Sequence, residues 1–91
     1  MKVFWARSAL ADLSHIHFHI RENNPPAADF VIETIRKGCA SLESLPQRGR
    51  ISIVSGCREM VFQSLPYIAL YRIQKDSIEI MHIFHSAQDW P

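Results

Sequence analysis

Histidines near the N-terminus are the first residues whose types and spacing could do chemistry. His15, His17 and His19 alternate in "SHIHFHI", and on a helix His15 and His19 share a face with Asp12 beside them. Such an i, i+4 pair can hold zinc, but a closed site needs about four ligands. Because only two or three ligands are local, we expect these side chains to face solvent, with His17 at the edge of the core. We predict no metal and no cofactor.

The C-terminal stretch "IMHIFHSAQDWP" (80–91) carries two more histidines and a tryptophan. Side chains alternate faces along a strand, so His82 and His85 point to opposite faces unless the strand bulges or ends. We therefore do not expect them to act as a pair. Chain ends are mobile unless they dock, and Trp90 is either a hydrophobic plug for the C-terminus or a contact with a target.

Length and composition limit the classes of protein to which the chain can belong. The chain has 91 residues, 47% of them hydrophobic, with ten Lys and Arg against nine Asp and Glu. We expect a single domain over 1–91. The balanced charge argues against a dedicated nucleic-acid binder, although Arg48, Arg50 and Arg58 form a local basic patch. Two cysteines are too few for a disulfide framework, so we expect a cytoplasmic protein with reduced thiols, no signal peptide and no membrane span.

Apolar spacing predicts two helices after a short first strand at 2–6. The first helix begins at Ser8, whose hydroxyl is expected to cap it, and ends near 23–24. Pro25 and Pro26 then start the second helix, where Gly38 would let another backbone come close. The predicted apolar faces consist of Leu10, Leu13, Ile16, His17 and Ile20 in the first helix, and Ala28, Val31, Ile32, Ile35, Cys39 and Leu42 in the second.

The hydrophobic period changes to that of strands in the second half of the chain. A loop over 46–56 contains a short extended piece, and strands follow at 58–63, 67–73 and 77–85. The order β-α-α-β-β-β predicts an α+β fold in which a helical hairpin packs on one face of a small antiparallel sheet. The other sheet face is left to solvent or to a partner.

Nearly the whole chain carries an ordered set of motifs. The segment "ALADLSHIHFHIRENNPPAADFV" is followed by Gly56 with Arg58, by Tyr67 to Arg72, by Ile78 with Ile80, and by His85 with Asp89 and Trp90. In this order and at these spacings, the motifs resemble the ParE/RelE toxin superfamily of bacterial type II toxin–antitoxin systems. The ParE branch is the more similar one, and the resemblance implies a RelE/ParE-like fold.

The resemblance implies a toxin with one of two modes of action. ParE-like toxins inhibit DNA gyrase without an enzymatic activity of their own, whereas RelE-like toxins are endoribonucleases that cut mRNA on the ribosome. Both are neutralised by a cognate antitoxin in a hetero-oligomer. If the chain is a nuclease, the resemblance points to Arg58, Arg72 and His85 as phosphate-binding and acid–base groups, with Tyr71 and His82 as further candidates.

Two departures from the family pattern favour gyrase inhibition over mRNA cleavage. Relatives often have arginine where this chain has His82 and Gln88. Both changes remove fixed positive charge where a phosphate would bind. We therefore expect a protein-directed activity, with the ribosome and its mRNA as the alternative target.

Three aromatic side chains are candidate contacts with a partner protein. Phe18 and Phe30 lie off the apolar stripes of their helices, and Trp90 lies in the C-terminal tail. Exposed apolar side chains that cluster mark interaction sites. We predict contacts with an antitoxin or with a second toxin copy, unless the first strand or the tail covers these rings.

Overall fold

Residues 1–87 are described by the computed structural model of the protein, which packs two helices on a five-stranded sheet. The elements are β1 (Lys2–Trp5), α1 (Arg7–Arg21), α2 (Pro25–Ala40), a short 3-10 helix (Ser41–Glu43), β2 (Arg50–Ile51), β3 (Arg58–Val61), β4 (Tyr67–Ile73) and β5 (Ser77–His85). The predicted α+β fold with a helical hairpin on the sheet is confirmed. The extended piece predicted within 46–56 is β2.

The sheet is mixed, whereas the prediction was an antiparallel sheet. Its strand order is β1-β5-β4-β3-β2, and β1 runs parallel to β5, with Lys2 opposite Ser77 and Trp5 opposite Ile80. The other neighbouring strands are antiparallel. The direction of β1 depends on a pairing between the two ends of the chain, which local residue spacing cannot reveal.

Side chains of the strands pack on both faces of the sheet. The face that carries the helices is here called the helix face. Its buried residues are Met60, Phe62, Ala69, Tyr71, Ile78, Ile80 and Ile83, of which Phe62 directly follows β3. On the opposite face, here called the outer face, a smaller buried cluster consists of Cys57, Ile68, Leu70 and Phe84, with Val54 and Met81 packed against it. The outer face is therefore partly covered by the protein itself.

A bulge in β5 determines which of its side chains reach which face. Consecutive residues of β4 pair with Ile80 and with His82, so Met81 is the extra residue. A bulge of this kind shifts the alternation of side chains by one position. Ile80 and Ile83, three residues apart, can therefore both enter the main core, and His82 lies on the outer face.

The helix α1 begins without the predicted side-chain cap. Its N-cap residue is Ala6, and the Ser8 hydroxyl instead donates a 2.6 Å hydrogen bond to the carbonyl oxygen of Met81. One turn later, Asp12 Oδ2 accepts a 2.9 Å hydrogen bond from the backbone nitrogen of Ile83. Because β1 no longer pairs with this part of β5, the two side chains satisfy backbone groups that the strand edge would otherwise leave open.

The predicted apolar faces of the helices are confirmed apart from one position, and the close approach predicted at Gly38 is of another kind. Leu10 is 47% exposed, and the neighbouring Ala9 is fully buried in its place. The missing side chain of Gly38 in α2 leaves space for the Phe62 ring, whereas the prediction was a close approach of another backbone. A Cβ atom at Gly38 would lie 2.8 Å from Phe62 Cδ1. Within residues 1–87, no helix has the length and apolar character needed to cross a membrane.

Candidate functional site

Arg58 lies on the helix face of β3, opposite Tyr71 of β4. Its Nη1 atom donates hydrogen bonds to the carbonyl oxygens of Gly49 at 2.7 Å and of Gln47 at 3.4 Å. A guanidinium presents its donors in a rigid fork, and here the fork holds the loop before β2. The Arg58 guanidinium, a candidate for phosphate binding, is thus hydrogen-bonded to the backbone of that loop.

Tyr71 fixes the same loop from inside the core. The residue is fully buried, and its hydroxyl donates to Pro46 O and accepts from Gly49 N, each at 2.8 Å. Burial raises the pKa of Tyr71, against the opposing effects of the Gly49 hydrogen bond and the Arg58 charge. The phenol therefore stays protonated at neutral pH. Only glycine fits at position 49, because a Cβ atom there would lie 2.6 Å from the Tyr71 ring.

Arg72 follows Tyr71 in β4 and points to the outer face. Its Nε and Nη2 atoms donate to Glu79 Oε1 on β5 at 2.8 Å and 2.7 Å. The two residues face each other in the strand register, and such cross-strand pairs contribute roughly 0.2–1 kcal/mol. The Arg72 charge is therefore matched by a carboxylate beside it.

His85 ends β5 on the helix face, opposite Tyr67. The two rings meet edge to face with their centroids 5.4 Å apart, and the backbone nitrogen of Ala87 donates a 3.0 Å hydrogen bond to His85 Nδ1. His85 also borders a cleft of about 300 Å³ beside α1. The other polar or charged residues that line this cleft are Asp12, His15, His19 and Tyr67.

The three residues suggested for a nuclease do not meet in one place. Arg58 and His85 share the helix face, but they pair with Tyr71 and Tyr67 of β4, four positions apart. That spacing corresponds to about 13 Å along a strand. Arg72 lies on the opposite face of the sheet. Acid, base and phosphate-binding groups must all reach the same substrate, and these positions do not converge on one.

Two other histidines are paired with carboxylates. His82 Nδ1 lies 3.1 Å from Asp12 Oδ2, and His17 Nε2 lies 2.9 Å from Asp29 Oδ1. His82 lies on the outer face and His85 on the helix face, as their spacing predicts. Among residues 1–87, no group of three or more His, Cys, Asp or Glu side chains is arranged to hold a metal ion.

A groove of about 430 Å³ lies between α1 and α2. This helix groove is lined by Leu10, Leu13, Ser14, His17, Phe18, Arg21, Ile32 and Arg36. Phe18 is 56% exposed there, whereas Phe30, 67% exposed on α2, is not part of the lining. Trp90, the third predicted partner contact, lies outside the described residues. Of the predicted contacts, Phe18 is thus the one that borders a concave apolar surface in the described part of the chain.

Comparison with known proteins places the chain in a family. The family described as "ParE toxin of type II toxin-antitoxin system, parDE" matches residues 3–90. The chain belongs to the ParE toxin family. The match includes both helices and the helix groove, as well as β2 to β5.

Two relatives align with this ParE family member over almost their full lengths. The protein Y4kP of Sinorhizobium fredii is 34% identical, over 99% of this chain and 93% of the relative. Toxin RelE2 of Caulobacter vibrioides is 32% identical, over 96% of this chain and 97% of the relative. The family match and the second relative thus carry names from both branches of the superfamily.

Solved structures show the same architecture. A chain of the chromosomal ParDE system from P. aeruginosa superimposes with a TM-score of 0.87 and 28% identity, over 93% of this ParE toxin and 95% of that chain. A chain of the intact E. coli RelBE toxin–antitoxin complex superimposes with a TM-score of 0.68 and 12% identity, over 96% and 98% of the two chains. The second likeness establishes the fold alone.

The helix groove of this ParE toxin was not predicted from the sequence. Leu10, Phe18 and Arg21 fall at positions i, i+8 and i+11 of α1, which is a second stripe at helical spacing. Leu10, expected on the core face, is instead 47% exposed and belongs to this second stripe. The groove also needs Ile32 and Arg36 of α2, and their level relative to α1 is fixed only when the hairpin closes.

Proposed function

We propose that this ParE family member is the toxin of a type II toxin–antitoxin pair, that it inhibits DNA gyrase in the cytoplasm without enzymatic activity, and that a cognate antitoxin neutralises it. One observation carries the choice of gyrase over mRNA. Arg58, Arg72 and His85, the residues that a nuclease would use, lie on two faces and at two ends of the sheet.

The contacts of these residues support the same choice. Arg58 holds the carbonyl of Gly49, and Arg72 is paired with Glu79 at 2.7 Å. Cleavage of RNA at the 2′-hydroxyl needs a base, an acid and a cation placed around one phosphate. Recruiting both arginines would break contacts that the fold already uses.

Purified toxin added to gyrase tests the proposal directly. We expect loss of negative supercoiling and accumulation of cleaved DNA, together with intact message in a parallel translating extract. Toxin that has been saturated with its antitoxin is the control and should leave supercoiling unchanged. Unimpaired supercoiling and no cleaved DNA at saturating toxin would contradict inhibition of gyrase.

The alternative is a RelE-like endoribonuclease that cuts mRNA on the ribosome. It draws support from the relative named RelE2 and from the basic patch of Arg48, Arg50 and Arg58. Codon-spaced cuts in the message, with gyrase untouched, would favour this function. His85→Gln, which removes proton transfer but keeps a polar side chain, should then abolish the cuts, whereas a gyrase inhibitor should tolerate it.

The antitoxin is proposed to bind the toxin as a hetero-oligomer through the helix groove. Two of the apolar residues that line the groove, Leu10 and Phe18, are about half exposed. Phe30 and Trp90 remain proposed contacts with the antitoxin. Co-expression with the neighbouring antitoxin gene should relieve growth inhibition and give a stable complex. Phe18→Asp should weaken that complex more than Phe30→Asp does, because only Phe18 lines the groove.

A further inference from the structure

The loop that leads into β2, residues 44–49 and here called the β2 loop, is held on two sides. On the sheet side, Tyr71 and Arg58 bind its backbone through four hydrogen bonds. On the helix side, Arg48 Nη1 donates a 2.8 Å hydrogen bond to Ser41 Oγ in the 3-10 helix that follows α2. A segment whose conformation is fixed before a partner binds loses less conformational entropy on binding. The β2 loop therefore has the rigidity of a preorganised contact segment.

Large aliphatic side chains are exposed on and beside this loop. Leu45 in the loop is 58% exposed, and Ile51 of β2 is 78% exposed. Arg58 connects the two, because it pairs with Ile51 in the strand register and its Nη1 atom contacts Gly49 O. Leu45 also borders a depression of about 440 Å³ that Arg48 lines. Exposed apolar side chains that cluster mark interaction sites, so these residues form one candidate contact surface.

Two arginines give this surface an uncompensated positive charge. Arg48 is exposed and bonded to a hydroxyl, and Arg58 is bonded to backbone carbonyl oxygens. Within residues 1–87 neither of them forms an ion pair, whereas the neighbouring Arg50 lies 3.0 Å from Glu59 Oε1. Charges of opposite sign face each other across specific interfaces. The surface therefore fits a partner that carries carboxylates beside an apolar patch.

We propose that Leu45, Arg48 and Ile51, here called the loop surface, bind gyrase at an apolar patch bordered by carboxylates. Arg48 meets a carboxylate directly, and Arg58 adds positive potential from behind the loop while it keeps its bonds to the loop backbone. The helix groove proposed for the antitoxin contains none of these residues. The inference rests on the proposed inhibition of gyrase and adds the toxin surface that makes the contact.

The composition of the loop surface favours a protein over a nucleic acid as its occupant. Affinity for DNA or RNA depends strongly on the number of phosphates that lysine and arginine neutralise. The described part of this surface offers two uncompensated arginines, and the net charge of the chain is +1. Exposed aliphatic side chains gain little from phosphates, whereas the buried centre of a protein–protein interface is apolar and is often enriched in arginine.

Aspartate substitutions test the loop surface with the full-length toxin, purified gyrase and the antitoxin identified by co-expression. We expect Leu45→Asp and Ile51→Asp each to raise the toxin concentration that half-inhibits supercoiling at least about tenfold, because a carboxylate replaces an apolar contact and repels acids of the partner. Both variants should bind the antitoxin like the wild type, which also shows that they are folded. Phe18→Asp is the matched control, since Phe18 is 56% exposed in the helix groove. It should inhibit gyrase like the wild type.

A milder substitution tests the charge of the loop surface without adding an acid. Arg48→Gln removes the positive charge but keeps a donor for Ser41 Oγ. We expect weaker binding to immobilised gyrase, and a smaller loss of affinity than for the wild type when salt is raised from about 50 to 500 mM. Equal affinity and equal salt dependence for Arg48→Gln and the wild type would contradict the role of this charge.

The outcomes separate the inference from the proposed function. If Leu45→Asp and Ile51→Asp inhibit gyrase as the wild type does, the loop surface is not the contact, although gyrase remains the target. If the wild-type toxin leaves gyrase unaffected, the proposed function fails and the inference fails with it. Three other results would overturn the inference by identifying another occupant. They are loss of antitoxin binding with gyrase inhibition retained, a toxin dimer that Ile51→Asp dissociates, and binding to DNA alone that Arg48→Gln abolishes.

Discussion

At the scale of single residues, Tyr71 is a candidate nuclease residue whose contacts are structural. Its hydroxyl bridges Pro46 O and Gly49 N inside the core, and Arg58 holds the same loop from its edge. Removing one partner of a buried hydrogen bond costs about 1–3 kcal/mol. We therefore expect Tyr71→Phe, which keeps the ring and removes both bonds, to lower the free energy of unfolding by about 2–3 kcal/mol.

Tyr67→Phe is the matched control for that prediction, because no hydrogen bond of the Tyr67 hydroxyl is found within residues 1–87. Its effect should stay within about 0.5 kcal/mol. Urea denaturation of the two variants measures the difference. Equal destabilisation by the two substitutions would show that the Tyr71 hydroxyl does not hold the loop.

At the scale of elements, α1 and β5 are joined by polar contacts where β1 has ended. Asp12 Oδ2 accepts from Ile83 N and lies 3.1 Å from His82 Nδ1. We expect Asp12→Ala to lower the free energy of unfolding by about 1.5–3 kcal/mol, since it leaves a strand amide without its charged acceptor. Amide exchange at Ile83 should accelerate in the folded protein, which shows that the loss is local to the strand edge.

Asp29→Ala provides the comparison for the α1–β5 contact. Asp29 is also paired with a histidine, at 2.9 Å, but it is 81% exposed and accepts no strand amide. Exposed pairs of this kind contribute about 0–1 kcal/mol. If Asp29→Ala destabilised the protein as much as Asp12→Ala, the bond to Ile83 could not be the reason.

The elements also show what residue spacing can and cannot predict. The strand period of the apolar residues and the turn residues predicted the bounds of β4 and β5 as observed, 67–73 and 77–85. The parallel direction of β1 and the bulge at Met81 were not predicted, since both arise from pairing between distant segments. For the candidate site, the alternation of side chains along β4 is enough to predict that Tyr71 and Arg72 lie on opposite faces of the sheet. The position of Arg58 relative to them requires the β3–β4 register, which the sequence does not contain.

At the scale of the whole molecule, one buried thiol links the stability of the fold to pH. Cys39 of α2 is fully buried in the main core, and burial raises its pKa from 9.0 to about 12. Below pH 9 the thiol is protonated in both the folded and the unfolded chain, so the free energy of unfolding does not depend on this group. Above pH 9 the unfolded chain loses the proton and the folded chain keeps it.

The protein should therefore lose stability as pH rises from about 9 to 12, by at most about 1.4 kcal/mol per pH unit from Cys39. Burial raises the pKa of Tyr71 as well, so a second decline should begin above its ordinary value of 10.0. Guanidinium denaturation under reducing conditions at successive pH values measures both. In Cys39→Ala the absolute stability falls because a core side chain is shortened, but the decline between pH 9 and 10 should disappear. A Cys39→Ala profile parallel to that of the wild type over this interval would contradict the assignment, because the proton released on unfolding would then have to come from another group.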